Sequence, residues 1–523
     1  MWWRDGVLYQ VYPRSFADSD GDGIGDLRGI LARLDHLEWL GVDGIWLNPT
    51  MPSPNADWGY DVADYCAVHP DLGTVEDLDA LIAAADERGM RLLLDLVPNH
   101  TSERHPWFVD ALTGRDARHR DFYVWADPRS DGSPPNNWLS SFGGTAWKWH
   151  EPSGQFYLHQ FLPEQPDLNW WNDEVRDAFD AILRFWYERG VAGFRIDVAH
   201  AIVKDRLLRD DPEPTADDHP LVQRQRRRHV YSSNRPEVHD VLRRWRALSD
   251  GFEAPRILVG ETYVLDLPSL FPFYGQGDEL NLAFDFPFVH SPLEAQALRT
   301  IVEGVEAGLP AGSWPVYTGS NHDAGRLMTR WAGDDERRAR VALLMLLTLR
   351  GTAFLYYGDE IALPEVPIDP DAALDPVARR TGDASRNRDV GRTPMPWDAS
   401  AGAGFTTSGD PWLPIGAHAV RNVAAQRADP GSTLHLVRDL IALRRERDDL
   451  REGAYATLPA PEGAWAYRRG ASTVVALNMS DAPARFEDVA GRVLVATDRG
   501  RDGEETAGAL ELGPWQAAVL DAR

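Results

Sequence analysis

The segment Gly193–Val198 contains an arginine and an aspartate within an otherwise apolar run. On a β-strand, Arg195 and Asp197 are two positions apart and therefore point to the same face. A buried charge is costly without a partner, and a guanidinium bonded to a carboxylate keeps that carboxylate ionised and oriented. An ionised aspartate at the end of a strand is a candidate nucleophile. The alternative is an ion pair that serves only the fold.

Further acids and histidines follow other predicted strands. Glu261 directly follows an apolar run, a setting that favours a protonated carboxyl group and hence a proton donor. A carboxylate and a protonated carboxyl group that face one cleft are the pair that cleaves glycosidic bonds. Asp323 is a candidate third acid, which would bind sugar hydroxyls more tightly in the transition state than in the ground state. His100 and His322 are candidate neutral donors to hydroxyls, or else histidines of the core.

The hydrophobic pattern predicts a barrel that would bring these residues together. Strand-like and helix-like segments alternate, which is typical of parallel α/β folds. Eight strands are predicted, at residues 7–11, 44–47, 92–97, 192–197, 256–260, 280–284, 315–318 and 353–357. This number favours a (β/α)8 TIM barrel over an open doubly wound sheet, and no dinucleotide-binding glycine fingerprint follows the first strand. The carboxyl ends of barrel strands carry the chemistry, and Asp95, Asp197 and Glu261 lie there.

Two stretches depart from the alternation. Residues 101–165 are rich in Trp, Pro, Gly, Ser and Asn without helical periodicity, so we expect an inserted subdomain after strand 3. Residues 452–523 show alternating strand patterns and predict a C-terminal antiparallel β domain that resembles a β-sandwich. The barrel then comprises residues 1–100 and 166–451. The charged segment 205–256 is expected to cover the barrel mouth and to gate access.

The composition argues against several classes of partner. The chain has 523 residues and a formal net charge of -27, which disfavours binding to nucleic acid or to anionic membranes. Cys66 is the single cysteine, so no internal disulfide forms. The start of the sequence does not resemble a signal peptide, and no apolar run reaches the length of a membrane span. We therefore expect a cytoplasmic protein with small neutral partners.

Four ordered segments resemble the motifs of the α-amylase superfamily, glycoside hydrolase family 13. They are DLVPNH (95–100), GFRID (193–197), VGET (259–262) and SNHD (320–323). The sequence QPDLNW at 165–170 resembles the additional motif of the α-glucosidase and oligo-1,6-glucosidase branch, and the similarity extends from the first strand to about residue 398. The resemblance implies a retaining mechanism with Asp197 as nucleophile, Glu261 as acid/base and Asp323 as transition-state stabiliser.

The same resemblance implies which residues hold the sugar. Asp57 would bind the nonreducing glucose and pair with Arg392, and this pair would close the pocket behind one sugar and make the enzyme exo-acting. Alternatively, Asp57 only stabilises a turn, and Phe142 and Phe161 only pack within the insertion, without any contact to a sugar. The implied substrate-binding residues are Asp57, Tyr60, His100, Phe142, Phe161, Gln165, Arg195, His322 and Arg392.

The segment Asp18–Asp26 is rich in acids separated by glycines. Such a loop can place hard oxygen ligands around Ca²⁺, with a backbone carbonyl filling a gap. It is not an EF-hand, since its twelfth position is Gly29. Family members that resemble this segment hold a structural Ca²⁺ or Mg²⁺ far from the chemistry. The implied ligands are Asp18, Asp20, Asp22, Ile24 and Asp26. The alternative is a solvated acidic loop, although like charges this close repel without a cation.

These features predict an exo-acting α-glucosidase for short α-glucosides, with a covalent glucosyl–Asp197 intermediate. In the branch that the chain resembles, the residue after the nucleophile tends to be Thr in α-1,4 enzymes and Val in α-1,6 enzymes. Val198 therefore favours an α-1,6 linkage, while the following Ala-His-Ala departs from the usual isomaltase sequence. His200 and Lys204 are expected on the acceptor side, where they would tune this preference.

Other functions use similar residues. Transglucosylation and sucrose or trehalose chemistry, by hydrolysis or isomerisation, employ the same acids and differ in how well the acceptor site excludes water. A catalytically inactive homologue that assists a transporter would show a membrane span and eroded acids, and the sequence has neither. A Schiff-base barrel is disfavoured, because the only lysines are Lys148 and Lys204, outside the predicted strands.

Overall fold

The structure, a computed structural model, describes residues 1–407 and 410–522, and at residue 225 the backbone alone. Its strands are β1 (Val7–Val11), β2 (Gly44–Leu47), β3 (Arg91–Leu96), β4 (Trp125–Ala126), β5 (Trp147–His150), β6 (Gln155–Leu158), β7 (Gly193–Ile196), β8 (Ile257–Gly260), β9 (Leu282–Ala283), β10 (Val316–Thr318), β11 (Thr352–Tyr356), β12 (Tyr455–Leu458), β13 (Ala464–Arg469), β14 (Thr473–Asn478), β15 (Ala484–Ala496), β16 (Glu505–Leu512) and β17 (Ala517–Ala522).

Its α-helices are α1 (Pro13–Phe16), α2 (Leu27–Ala32), α3 (Leu34–Leu40), α4 (Val75–Glu87), α5 (Pro106–Ala111), α6 (Asp173–Glu188), α7 (Pro220–Gln225), α8 (Val238–Asp250), α9 (Leu267–Leu270), α10 (Phe286–His290), α11 (Ala295–Gly308), α12 (Leu327–Arg330), α13 (Glu336–Thr348), α14 (Pro376–Thr381), α15 (Val423–Ala428), α16 (Thr433–Glu446) and α17 (Asp448–Arg451). Short 3₁₀-helices lie at Pro70–Leu72, Arg120–Phe122, Glu151–Ser153, Phe271–Tyr274, Asp359–Ile361, Pro370–Ala372, Ala384–Arg386, Arg388–Gly391 and Arg499–Arg501. Within the described ranges, every helix is too short or too polar to cross a bilayer.

Eight strands form one parallel sheet in the order β10-β11-β1-β2-β3-β7-β8-β9. All of its ladders are parallel. Apart from the inserted β4–β6, neighbours in the sheet are also neighbours in the chain, except that the first barrel strand, β1, pairs with the last, β11. This pairing curves the sheet into a barrel, with β9 and β10 at its two ends. Strands β1, β2, β7, β8 and β11 are buried over their whole length, as expected where helices cover the outside. The prediction of a (β/α)8 barrel is confirmed.

The register of three neighbouring strands brings the acids to one edge of the barrel. Asp95 on β3 lies opposite Arg195 on β7. Ile196 on β7 lies opposite Gly260 on β8, so Asp197 and Glu261 each follow their strand at the same level. Because parallel strands end on the same side, three acids that are far apart in the sequence meet at the barrel mouth.

Local sequence determines where helix α4 of the barrel begins and ends and which of its faces is buried. Thr74 accepts the N–H of Asp77, whose side chain in turn accepts the N–H of Thr74, and this reciprocal cap fixes the first turn. One face of the helix is buried, at Leu78, Leu81, Ile82 and Ala85. Gly89 follows with a φ of 76°, a left-handed conformation that a glycine adopts without strain and that ends the helix.

Strands β4, β5 and β6 form a separate three-stranded sheet within the insertion. The first residues of the charged segment after β7 are bonded to this insertion. Trp138 donates from its indole to the Arg209 carbonyl at 2.9 Å, and the Asn137 side chain exchanges hydrogen bonds with the backbone of Asp211 at 2.8 and 2.9 Å. The insertion and the charged segment after β7 are therefore held together by hydrogen bonds. Gating by this segment stays a prediction.

The C-terminal strands form one antiparallel sheet in the order β12-β13-β14-β17-β15-β16. The sequence pattern predicts a sandwich-like domain, whereas all six strands pair within a single sheet. Register shifts in β15 bend this sheet, since bulges kink a strand. Two buried arginines, Arg469 of this sheet and Arg444 of the barrel helix α16, donate to carbonyls at the C-terminal end of α13, and Arg469 thereby joins the sheet to the barrel. Arg469 donates to the Thr348 carbonyl at 2.6 Å and Arg444 to the Leu347 carbonyl at 3.0 Å.

Asp285 is a buried carboxyl group that caps α10. Its Oδ1 accepts the Phe288 N–H at 3.0 Å, while Oδ2 is buried without a hydrogen-bond partner among the described residues. Burial raises the pKa of Asp285 to about 7. The unfolded chain releases this proton near pH 4, about three pH units lower, so the folded state binds more protons between these values. The stability of the protein therefore falls as the pH rises through this window.

Asp285→Asn should raise the free energy of unfolding relative to wild type by on the order of 1–3 kcal/mol at pH 8, and by less at pH 5. The amide oxygen keeps the cap and no ionisation cost arises. Urea unfolding at the two pH values measures the difference. Asp266→Asn is the matched control, because Asp266 caps the neighbouring α9 in an exposed position. If the difference in the free energy of unfolding between Asp285→Asn and wild type did not change with pH, the prediction would be contradicted.

Candidate active site

Arg195 lies at the centre of the site, because its guanidinium bonds three carboxylates. Its Nη1 lies 2.8 Å from Asp95 Oδ1 and 2.7 Å from Asp197 Oδ1. Its Nη2 lies 2.7 Å from Glu261 Oε2. The arginine side chain is only 2% exposed, and charge-assisted hydrogen bonds are strong where water is excluded. One planar group therefore orients both Asp197 and Glu261.

The backbone after β7 provides a second donor to Glu261. The N–H of Val198 donates to Glu261 Oε2 at 2.9 Å. Val198 has a φ of 37°, which is a strained conformation for a β-branched residue and is typical of functional sites. Since both bonds end on Oε2, Oε1 is the oxygen that remains for a ligand.

His322 and Tyr60 stack on each other beneath this cluster, with ring centroids 5.4 Å apart and an interplanar angle of 4°. Gln10 donates from Nε2 to Asn48 Oδ1 and to His322 Nδ1, at 2.8 and 2.9 Å. The ring proton therefore lies on Nε2, which is 2.6 Å from the Tyr60 hydroxyl. That hydroxyl donates to Asp95 Oδ2 at 3.0 Å. Burial lowers the pKa of His322 well below its usual range, so the ring is neutral.

Asp323 is held by two arginines from the segment after β11. Its Oδ1 accepts from Arg388 Nη1 at 3.0 Å and from Arg392 Nη2 at 2.8 Å. Its Oδ2 lies 3.3 Å from His322 Nε2. Burial alone raises the pKa of Asp323, but the histidine and the arginines outweigh burial and hold that pKa well below its usual range. Asp323 is therefore ionised at neutral pH.

Asp57 belongs to a second connected group at the site. Its Oδ1 lies 2.9 Å from Arg388 Nη2, and its Oδ2 accepts from Gln165 Nε2 at 3.3 Å. The same Gln165 nitrogen lies 3.0 Å from His100 Nε2. Burial raises the pKa of Asp57 to about 6, with the arginines opposing, and burial lowers the pKa of His100 to about 4. His100 is thus neutral at pH 7.

Two phenylalanines border these polar groups. The rings of Phe142 and Phe161 are 5.4 Å apart in an edge-to-face arrangement, and Phe161 lies 5.1 Å from His100. The Arg388 guanidinium lies 5.1 Å from the centre of the Phe142 ring. The phenylalanines also pack against Val377 of α14. They therefore line the polar site as well as packing within the insertion.

The acids around Arg195 carry surplus negative charge, since three carboxylates share one guanidinium. Burial raises the pKa of Asp197 well above its usual range, opposed by Arg195 and reinforced by the charges of Glu261 and Asp95. Burial likewise raises the pKa of Asp95 to about 6. The cluster therefore keeps a proton at a pH where isolated carboxyl groups have lost theirs. Arg195 opposes burial at Asp197 without outweighing it, which differs from the expectation that the guanidinium keeps this carboxylate ionised. Cleavage of a glycosidic bond requires one protonated and one ionised acid.

Comparison with known proteins shows the family to which the chain belongs. The chain matches the family model of the alpha amylase catalytic domain over residues 10–453. The chain belongs to glycoside hydrolase family 13. A probable alpha-glucosidase of Rhizobium meliloti (strain 1021) is 43% identical over 86% of this chain and 84% of the relative. An oligo-1,6-glucosidase of Heyndrickxia coagulans is 34% identical over 99% of both chains. The crystal structure of an alpha-glucosyl transfer enzyme is 40% identical, with a TM-score of 0.92 over 99% of both chains.

One predicted pair of this family 13 site is wrong. Asp57 forms its ion pair with Arg388, not with Arg392. Arg392 lies one helical turn later and is fully buried, with its Nε donating to the His322 carbonyl at 2.9 Å and its own carbonyl accepting from Ser15. These backbone contacts direct the Arg392 side chain to Asp323, and the more accessible Arg388 spans the remaining distance to Asp57.

Lys204 also departs from its prediction. Its Nζ bonds Asn99 Oδ1 and lies 2.9 Å from Asp167 Oδ2, and its side chain is only 3% exposed. A buried ammonium of this kind is held by its two partners and is not available to an acceptor. His200, in contrast, lies beside the acid/base candidate: its Nδ1 accepts the Tyr263 N–H at 3.2 Å, and burial lowers its pKa to about 4.

Three of the five predicted metal ligands lie together. Carboxylate oxygens of Asp18, Asp20 and Asp22 lie within 4.8 Å of one another, a spacing of hard oxygens that fits Ca²⁺ or Mg²⁺. Burial raises the pKa of Asp22, and the charges of Asp20 and Asp18 add to this effect. A bound cation would relieve this repulsion.

The other two predicted ligands, Ile24 and Asp26, stay predictions: neither belongs to that group of carboxylate oxygens, and Ile24 would bind through its backbone carbonyl. Asp26 caps α2 by accepting the Gly29 N–H at 2.7 Å, and its second oxygen accepts the Ser19 N–H at 2.7 Å. Ile24 donates its N–H to Asp22 at 2.7 Å. The structure therefore assigns Asp26 a capping role, whatever the ion.

The sequence analysis missed Arg388, Gln10 and Asn48. The available signal for Arg388 was its position four residues before Arg392, which places both side chains on one side of a helical turn. Gln10 and Asn48 are 1% and 2% exposed at the ends of β1 and β2. A buried amide after an apolar run needs hydrogen-bond partners, and this need was the signal in the sequence.

Arg388→Gln should lower kcat/KM for a disaccharide substrate by roughly 10²-fold, because the substitution removes the ion-pair partner of Asp57 and one of the two arginines on Asp323. Steady-state kinetics measure the effect. Arg386→Gln is the matched control, since Arg386 is half-buried and, among the described residues, its side chain donates a hydrogen bond only to the Ser141 carbonyl. Equal losses in both variants would show that Arg388 has no special role.

Proposed function

We propose that this chain is a retaining, exo-acting α-glucosidase that releases glucose from the nonreducing end of short α-glucosides. The observation that carries the proposal is the single guanidinium of Arg195, which binds both Asp197 and Glu261 and so holds the two acids at one place. The link between Asp57 and Arg388 supports exo action, since these residues close the site behind one terminal sugar.

In the first step, Asp197 Oδ attacks the anomeric carbon while Glu261 gives its proton to the departing glycosidic oxygen. The C–O bond breaks, the aglycone leaves as an alcohol, and a glucosyl–Asp197 ester forms. Asp323, ionised and held by two arginines, binds hydroxyls of the sugar ring as the ring flattens. His100 and His322 are neutral and serve as hydrogen-bond donors to hydroxyls.

In the second step, the ionised Glu261 takes a proton from a water molecule whose oxygen attacks the anomeric carbon. The ester bond to Asp197 breaks, and α-glucose leaves with retained configuration. An alcohol that replaces water in this step receives the glucosyl group. This second outcome is supported by the similarity to a solved alpha-glucosyl transfer enzyme, 40% identical over 99% of both chains.

The linkage preference is part of the proposal. Val198 favours α-1,6 substrates, and an oligo-1,6-glucosidase is among the relatives at 34% identity. The inactive transporter-partner alternative expects eroded acids, whereas all three candidate acids are present and connected. We also propose a cytoplasmic location, in keeping with the single cysteine; fractionation of the source cells tests it.

Incubation with maltose, isomaltose, sucrose and trehalose tests the proposal. We expect glucose release from maltose or isomaltose, with the α-anomer formed first in proton NMR spectra. Glucosylated products at high substrate concentration would indicate transfer. Release of β-glucose first would contradict the retaining mechanism. A folded sample that turns over none of the four sugars would exclude the glucosidase.

A structural Ca²⁺ or Mg²⁺ at Asp18, Asp20 and Asp22 is a second part of the proposal. The ion would neutralise the repulsion among these carboxylates and fix the loop. A chelator should lower the melting temperature by several degrees while the rate at low temperature stays nearly constant. Added Ca²⁺ or Mg²⁺ should restore the melting temperature. A loss of rate at unchanged stability would contradict a structural ion.

A further inference from the structure

Arg388 is a long side chain that contacts the glucose pocket, and something must hold it in place. Its Nη1 binds Asp323 at 3.0 Å, and its Nη2 binds Asp57 at 2.9 Å. A free arginine side chain samples many rotamers, and fixing it in one geometry costs entropy that its partners must offset. A third carboxylate, outside the set of sugar-binding residues, also binds this guanidinium.

That third carboxylate is Asp375. Its oxygens accept from Arg388 Nε at 3.1 and 3.2 Å and from Nη2 at 2.8 Å, which is the bidentate pairing that fixes a guanidinium most firmly. Asp375 Oδ2 also accepts the backbone N–H of Arg388 at 2.7 Å. The Asp375 side chain is 0% exposed. It therefore holds both the backbone and the side chain of Arg388.

Asp375 is itself fixed from two directions. It caps α14 by accepting the Val377 N–H at 3.1 Å. Asp389, the residue after Arg388, accepts the backbone N–H groups of Leu374 and Asp375 at 2.6 and 2.9 Å. The two aspartates thus bind each other's chain segments reciprocally, and residues 374–375 cannot shift without residues 388–389.

We propose that Asp375 is a positioning residue of the glucose pocket, which sets the geometry of Arg388 and through it that of Asp57 and Asp323. The inference rests on the proposed glucosidase function of the site. Asp375 is fully buried and has no exposed surface to offer a sugar, so it acts through the arginine. A misplacement of about 1 Å at a substrate-positioning group costs up to about 10²-fold in rate.

Asp375→Asn is the informative variant, because the amide oxygen can still cap α14 while the charge that binds Arg388 is lost. We expect kcat/KM for the preferred disaccharide to fall by about 10- to 100-fold, mainly through a higher KM. Loss of folded enzyme would instead lower the apparent kcat at constant KM. Asp383→Asn is the matched control, since Asp383 caps the neighbouring exposed 3₁₀-helix without contact to the arginine.

A double-mutant cycle with Arg388→Gln decides whether Asp375 acts through the arginine. On the Arg388→Gln background, Asp375→Asn should change kcat/KM by less than about twofold. The same 10- to 100-fold loss on both backgrounds, or no rise in KM on the wild-type background, would overturn the inference.

The same cycle is measured by urea unfolding, which needs no turnover. A positive coupling between Asp375 and Arg388 in stability is expected, and its absence would also overturn the inference. A wild-type protein that hydrolyses no α-glucoside would refute the proposed function alone, because the unfolding cycle would still show whether Asp375 holds Arg388.

Discussion

Asp197→Asn is expected to lower kcat/KM for an aryl α-glucoside by roughly 10⁴–10⁶-fold, because it replaces the carboxylate nucleophile with a neutral amide. Glu261→Gln is expected to lower kcat/KM for this substrate by a smaller factor, since an aryl leaving group departs without a proton. Both side chains contact the same guanidinium. Kinetics with an aryl α-glucoside and with a disaccharide therefore separate the two roles.

Azide, added as an external nucleophile, distinguishes the role of Asp197 from that of Glu261 by a second measurement. In Glu261→Gln the glucosyl–Asp197 ester still forms, and azide attacks it from the opposite face to give α-glucosyl azide. In Asp197→Gly no ester forms, and azide attacks the substrate from the face that the missing carboxylate leaves open, to give β-glucosyl azide. NMR coupling constants identify the anomers. The same anomer from both variants would contradict the assigned roles.

Stability is the control for Asp197→Asn and Glu261→Gln. Burial raises the pKa of Asp197, so its ionised form costs stability above the usual pKa of an aspartate. Removing this charge should leave the urea midpoint at pH 8 unchanged or higher. A large fall in that midpoint would attribute the loss of activity to unfolding and would contradict the charge balance derived for the site.

Arg195→Met is expected to lower the free energy of unfolding by about 3–5 kcal/mol at pH 8, because it leaves buried carboxylates without their cation. The loss should shrink at pH 5. Without the guanidinium, the pKa values of Asp95 and Asp197 rise further in the folded state only, so the folded state binds extra protons as the pH falls. Urea unfolding at both pH values measures this change.

Arg444→Met provides the matched comparison for Arg195. Arg444 is equally buried, but its guanidinium donates to backbone carbonyls, including those of Leu347 and Leu349. Arg444→Met should lower the free energy of unfolding by a similar amount at both pH values, because the hydrogen-bond acceptors of Arg444 are backbone carbonyls, which do not titrate. If Arg195→Met showed the same pH-independent loss, the three carboxylates would not depend on Arg195 for their charge.

The strand ends are the part of the site that local sequence could predict. Each acid of the Arg195 cluster directly follows or ends an apolar strand, and parallel strands of a barrel all end on one side. The meeting of Asp95, Asp197 and Glu261 thus follows from hydrophobic pattern and topology. The same reasoning fails for loops, since a loop has no periodicity that fixes the direction of a side chain.

Asp57 illustrates this failure. Two arginines lie four residues apart in the segment that closes the site, and sequence offers no way to choose between them. The choice is made by the backbone contacts of Arg392 with Ser15 and His322, which come from distant parts of the chain. Lys204 was misplaced for the same reason, because its partner Asp167 lies in a different part of the chain, directly after the insertion.

The amino-acid sequence by itself determined the barrel, the insertion and the acids at the strand ends, because these depend on local periodicity and on the order of elements. Tertiary structure alone decided which arginine meets Asp57, that Asp375 holds this arginine, and that Asp26 caps a helix. Such pairings join segments up to hundreds of residues apart. They depend on how side chains pack in three dimensions, and no repeat in the sequence encodes that packing.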